Sequence, residues 1–148
     1  MKITPFSLRP AQYGRFFRLA VILLAFTACQ TVPLKEEIPA DLTAEELSLM
    51  GQNALDRNNY AAAEIYYDTV LERYAGDIRA VTAAEYEIAH IRVKQEHWAD
   101  AKPLLEKIIA RYETTGGAGL PPEYLVLARN DLARVLLAET PEAAGTEE

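Results

Sequence analysis

From residue 43 onward, apolar side chains recur at steps of three and four, the spacing that puts them on one face of a helix. Leu47, Met50 and Ala54 make one stripe, with Gly51 in its middle. Ala63, Tyr67, Val70, Leu71 and Tyr74 make a second, and Val81, Ala84, Ile88 and Ile91 a third. Ala101, Leu105, Ile108, Ile109 and Tyr112 make a fourth, and Leu125, Ala128, Leu132, Val135 and Leu136 a fifth. The pattern predicts an all-α chain of five helices. Thr43-Ala-Glu-Glu46 is a capping box at the first start, and Asp77 is placed to cap the third helix. The last helix is expected over Glu123–Glu139, and Pro103 falls near the start of the fourth.

The second and fourth stripes are copies. Asn59–Tyr74 lies over His97–Tyr112 at an offset of 38 residues: Tyr60 faces Trp98, Ala63 faces Ala101, and two Arg-Tyr pairs coincide at 73–74 and 111–112. A period in this range is the signature of stacked helical repeats. Gly51 and Ala89 each precede the small residue of the next helix by twelve positions, which lets paired helices approach closely. On these residues the chain resembles the tetratricopeptide repeat. Repeat one spans about 44–77 through Leu47, Met50, Gly51, Ala63 and Tyr67, and repeat two about 82–115 through Ile88, Ala89, Trp98, Ala101 and Leu105. Glu85 and Arg92 depart from it, standing where large apolar residues are usual. The resemblance implies a short α-solenoid of antiparallel hairpins, about two and a half repeats over 43–139. Thr114–Pro122 is a long loop, and the fifth helix would be half of a third repeat, closing the stack.

The resemblance also implies a concave groove lined by the first helix of each pair. Its positions fall on Ser48, Gln52, Leu55 and Asp56 in repeat one and on Tyr86, His90, Val93 and Lys94 in repeat two. With the last helix in register through Ala133 they fall on Asn130 and Arg134; aligning Glu85-Tyr86 with Glu123-Tyr124 would shift them. These residues do not match the lysine- and asparagine-rich clamp for peptide carboxylates that some family members carry. A mixed groove with Tyr86 and Leu55 suits an extended or helical protein segment.

The first 42 residues follow a different logic. Lys2, Arg9, Arg15 and Arg18 precede an apolar run, Leu19–Ala28, about 15 Å long as a helix and too short to span a bilayer comfortably. The run ends at Cys29, the one cysteine. Phe26-Thr27-Ala28-Cys29 resembles the bacterial lipoprotein signal, with Phe26 where leucine is usual. That resemblance implies a signal peptide over 1–28, acyl chains on Cys29 and, from Gln30, placement on the outer membrane facing the periplasm. An ordinary secretory signal, a transit peptide and a buried structural cysteine are the competing readings. Residues 29–42, with two prolines and no period, read as a flexible tether, and 140–148 as a disordered acidic tail.

Composition narrows the function. All 22 acidic residues lie after position 35, so the body of the chain is acidic, which argues against nucleic acid. There is no phosphate-cradling loop and no nucleophile elbow, and His90 and His97 are the only histidines, with Glu87 and Glu96 beside them as at most a weak metal site. No catalytic residue, metal or cofactor is expected. The expected function is a membrane-anchored adaptor for envelope proteins or peptide segments, with self-association as a further way to support so short a stack. The alternatives are a structural accessory subunit using its outer helix faces, and a cell-wall or metal-dependent hydrolase.

Overall fold

The structure, a computed structural model, describes residues 31–140. The expected signal segment, Cys29 and nearly all of the expected acidic tail lie outside the described residues. Five α-helices follow one another: α1 (Ala44–Asp56), α2 (Tyr60–Arg73), α3 (Ile78–Lys94), α4 (Trp98–Thr115) and α5 (Pro122–Ala138). One turn of 3-10 helix, Lys35–Glu37, precedes them, and no strand occurs among the described residues. Each helix packs mainly on its neighbours in sequence, and α3 also meets α1 and α5. The chain is therefore an all-α stack of helix hairpins, with the first helix of each pair along one side.

Local chemistry sets the boundaries. The Thr43 hydroxyl accepts from the Glu46 amide at 3.2 Å and the Glu46 carboxylate accepts from the Thr43 amide at 2.8 Å, closing the capping box. Asp77 accepts from the Arg79 and Ala80 amides at 3.0 and 3.2 Å. The repeat also reaches the backbone. Asn58 (φ 56°) and Glu96 (φ 59°) take left-handed conformations at the α1–α2 and α3–α4 turns, 38 residues apart. Pro103 sits in the second turn of α4; its missing N–H deprives the exposed Ala99 carbonyl of a helical donor, on a side that water reaches.

Two apolar clusters make the core. Leu47, Ala54, Ala63, Tyr67, Val70, Ala84 and Ile91 belong to the first; Ala89, Val93, Ala101, Leu105, Ile108, Ala128 and Val135 to the second. Gly51 permits the tightest approach: a β-carbon there would lie 2.6 Å from Cζ of Tyr67. The two residues that break the apolar pattern are ion-paired between helices. Arg92 grips the Glu64 carboxylate of α2 with both guanidinium nitrogens. Glu85 pairs with Lys107 at 2.9 Å and Arg111 at 2.5 Å on α4.

The tether is shorter than the sequence suggests. Ile38 is buried at 5 % exposure in the first cluster. Arg73 donates to the Pro39 and Ile38 carbonyls at 2.6 and 2.9 Å, the Tyr74 hydroxyl donates to the Leu42 carbonyl at 2.5 Å, and Lys35 pairs with Glu72. Residues 35–42 are thus laid along α2. The proline-broken stretch shows no period because it docks through one apolar side chain and its carbonyls, which leave no repeating pattern.

Candidate functional site: the groove between alternate helices

The first helices of the hairpins, α1, α3 and α5, stand side by side, so their outward residues share a groove. Gln52, Leu55, Asp56 and Asn58 from α1 and its turn, and Glu87, His90 and Lys94 from α3, line a cavity of about 420 Å³. Five of the sequence-predicted groove residues meet here: Gln52, Leu55, Asp56, His90 and Lys94. Ser48 is half-buried and does not line the cavity. Val93 is a correction: it is 1 % exposed and belongs to the second core cluster, because its position on α3 faces α4. Tyr86 is also buried, behind His90, whose ring it stacks on at 5.7 Å. Asn130 is exposed, and Arg134 is exposed with one contact, to Asp131.

Asp131, a residue the sequence reading missed, organises the wall between α3 and α5. It is 4 % exposed. Its Oδ2 accepts from the Tyr86 hydroxyl at 3.0 Å and lies 2.7 Å from Nδ1 of His90, while Nη1 of Arg134 donates to Oδ1 at 3.3 Å. Burial pushes this carboxyl up, but the bonds from His90 and Tyr86 and the Arg134 charge outweigh it and hold Asp131 below the usual range. An ionised Asp131 requires the proton on Nδ1, so His90 keeps Nε2 for another partner. Burial, with Asp131 adding, pushes the Tyr86 hydroxyl well up, so it stays a donor. Tyr124 of α5 packs against Tyr86 at 5.4 Å.

Glu87, in the sequence only a weak metal partner, lines the cavity as its second carboxylate beside Asp56. Burial pushes its carboxyl up and Asp131 adds to this, while His90 and Lys94 oppose it. The Tyr67 hydroxyl is fully buried with no hydrogen-bond partner among the described residues, and Glu87 and Asp56 are among the charges that bear on it. The cavity therefore mixes carboxylates (Asp56, Glu87) with an ammonium (Lys94), amides (Gln52, Asn58) and an imidazole fixed in direction, on the Leu55 side chain. Such a set offers polar and apolar groups side by side. Among the described residues, no group of three histidine or acidic side chains is arranged to hold a metal, and no helix is long and apolar enough to cross a membrane.

The register of α5 is readable in the packing. Ala84, Ile88 and Ile91 of α3 pack toward the first hairpin; Ala128, Leu132 and Val135, each 44 residues later, pack toward the second. This is the register through Ala133. The extra six residues over the 38-residue period lie in the longer α4 and the glycine-containing loop that follows it. Asp131 is then the counterpart of Glu87. A shift of 44 within a 38-residue repeat was the signal for Asp131, and the loop length concealed it.

Fold and site together define a class: a helical hairpin stack with a polar-walled groove. Comparison with known proteins finds a relative in Treponema pallidum (strain Nichols), described as an uncharacterized protein, 42% identical over 123 residues. The match covers 81% of this chain and 49% of the relative, so the chain spans about half the length of the curated relative it matches. No family model matches the chain. No solved structure matches it.

Proposed function

We propose that this chain is a lipid-anchored adaptor of the tetratricopeptide kind, whose groove holds a segment of a partner protein beside a membrane of the bacterial envelope. The observation that carries the reading is the convergence of side chains from α1 and α3 on one cavity, backed by the His90–Asp131–Tyr86 network that fixes its wall. A binding surface needs side chains held in place before the partner arrives, because ordering them on binding costs affinity. Tyr86 and Asp131, both nearly fully buried, provide that rigidity.

Anchoring rests on the resemblance of Phe26–Cys29 to the lipoprotein signal. Several acyl chains anchor stably where one does not. With residues 35–42 docked on α2, only residues 30–34 separate Cys29 from the folded part, so Cys29 reaches at most about 22 Å from Lys35. The groove would therefore work close to the lipid surface.

Two measurements test this. Intact mass of the mature protein reports cleavage before Cys29 and its acyl chains, and Cys29→Ser should release the protein from membranes. Crosslinking in membranes, compared between the natural chain and a Gln52→Arg/Lys94→Glu variant, tests the groove. Both residues are exposed, so the fold is kept. Unchanged crosslinks in that variant would remove the groove from the function.

A further inference from the structure

Among the described residues α5 is the last helix, and one of its faces has no helix against it. In the other two hairpins the equivalent face is covered. On α3 it consists of Thr82, Tyr86, Ala89 and Val93, all buried; Arg111 of α4 donates to Thr82, and Ala89 and Val93 share a core with Ala101 and Leu105 of α4. On α1 the same register gives Ala44, Ser48, Gly51 and Leu55, with Gly51 lying against Tyr67 of α2. On α5 it gives Val126, Asn130, Ala133 and Leu137. All four are exposed, Val126 at 59 % and Leu137 at 68 %, with Leu136 exposed on the border. The stripe keeps the pattern of the covered faces, a small residue in the middle and an apolar residue a turn beyond it.

We propose that this face docks an amphipathic helix of a partner protein, lying on α5 as α4 lies on α3, with carboxylates beside Arg129. The kind of occupant follows from the packing that the chain itself uses twice. Its charge follows from one substitution within the repeat. Glu85 of α3 pairs with Lys107 and Arg111 of α4, and its counterpart on α5 is Arg129. A helix placed in the same way over α5 carries acidic residues where α4 has Lys107 and Arg111. A second copy fits less well. Two α5 helices paired antiparallel, Val126 over Leu137, set Arg129 against Arg134, and like charges facing each other oppose pairing. Asn130 apart, none of the residues of this face is a groove candidate, and none of them lines the cavity between α1 and α3, so the proposal does not depend on the groove.

The test uses the purified full chain and two fluorescent peptides made from residues 97–115 of α4, one natural and one carrying Lys107→Glu and Arg111→Glu. The charge-swapped peptide should bind saturably, gain helix on binding, and bind several-fold tighter than the natural one. Leu137→Asp and Ala133→Arg, at exposed positions, should each weaken it by at least about tenfold with an unchanged melting curve. Arg129→Glu should reverse the preference between the peptides, and Gln52→Arg, in the groove, should leave both unaffected. Absence of saturable binding overturns the proposal. So does binding indifferent to Leu137→Asp, or a preference that Arg129→Glu leaves in place. Sedimentation of the chain alone supplies the last arm: a dimer dissolved by Leu137→Asp would give the face to a second copy and overturn the partner helix.

Discussion

Replacing Asp131 by alanine should destabilise the protein by about 2–4 kcal/mol, a large effect for one side chain in so short a stack. The variant leaves the Tyr86 hydroxyl, on a residue only 5 % exposed, without its acceptor, which costs about 1–3 kcal/mol. It also removes the 2.7 Å bond to His90, a bond to a charged acceptor and so worth about 1.5–3 kcal/mol before discounting for the partly exposed imidazole. Two effects oppose this: alanine favours the helix by about 0.5 kcal/mol or slightly more, and no carboxylate need be buried. The loss falls on the α3–α5 contact, so α5 should loosen first. Urea unfolding followed by helical circular dichroism measures the total, expected with a fall in Tm on the order of 10–25 °C. Asp131→Asn, which keeps the shape and one acceptor, should lie between.

The pH dependence supplies a check with a definite sign. Asp131 is held below its unfolded value, so the ionised carboxylate contributes stability above about pH 4. That contribution is lost as pH falls through the lower folded value. The gap between the natural chain and Asp131→Ala should therefore close on acidification below about pH 4. A gap under about 0.5 kcal/mol at neutral pH, within the range of ordinary surface changes, would refute the reasoning. So would a gap that widens on acidification.

Glu87→Gln should raise Tm at neutral pH: burial raises this carboxyl, so its ionised form opposes folding as pH climbs, and the gain should vanish in acid. Glu96→Gly should stabilise by about 0.5–1 kcal/mol in urea unfolding, because a left-handed φ of 59° suits glycine and strains glutamate. Gly51→Ala should fail to deliver the helix-propensity gain of about 1 kcal/mol and instead destabilise by up to about 2 kcal/mol, since its β-carbon meets the buried Tyr67 ring; adding Tyr67→Leu should recover part of the loss. Tyr112→Phe should cost about 1–2 kcal/mol by removing the 2.5 Å bond that ties the Pro121 carbonyl, where α5 begins, to α4.

The helices were legible because their signals are local. Stripes of period 3.6, the Thr43 and Asp77 caps and the 38-residue copy each sit within a few turns of chain, and the structure places helices where they point. The groove was legible in part: Gln52, Leu55, Asp56, His90 and Lys94, which line the cavity, stand at positions that the tetratricopeptide resemblance implies. Three things were not. Val93 and Tyr86 are buried because α4 and α5 cover them, and phase on α3 cannot say how wide that cover is. Asp131 reads as one more surface acid in a chain rich in them; only its distance to His90, 41 positions away, marks it out. The docked arm is held by carbonyls of Ile38, Pro39 and Leu42, and every residue type has a carbonyl.

The polar residues that break the repeat's apolar logic divide into two groups, and the division bears on function. Glu85 and Arg92 stand where the tetratricopeptide resemblance leads one to expect apolar side chains, and each is answered by an opposite charge on the neighbouring helix. They are internal substitutions within the stack, and nothing outside it is needed to account for them. Glu87 is different: a carboxylate lining the cavity, disfavoured by burial, whose charge bears on a buried tyrosine hydroxyl that has no hydrogen-bond partner among the described residues. Val126 and Leu137 are the apolar counterpart, large side chains in water at positions that the other hairpins cover. A sequence shaped only for stability would replace all of these, because polar Val126 and Leu137 and a glutamine at Glu87 would suit an isolated stack better. A segment in the proposed groove and a helix on the proposed docking face would offset that cost. The sites where folding logic fails are therefore where partners are to be sought.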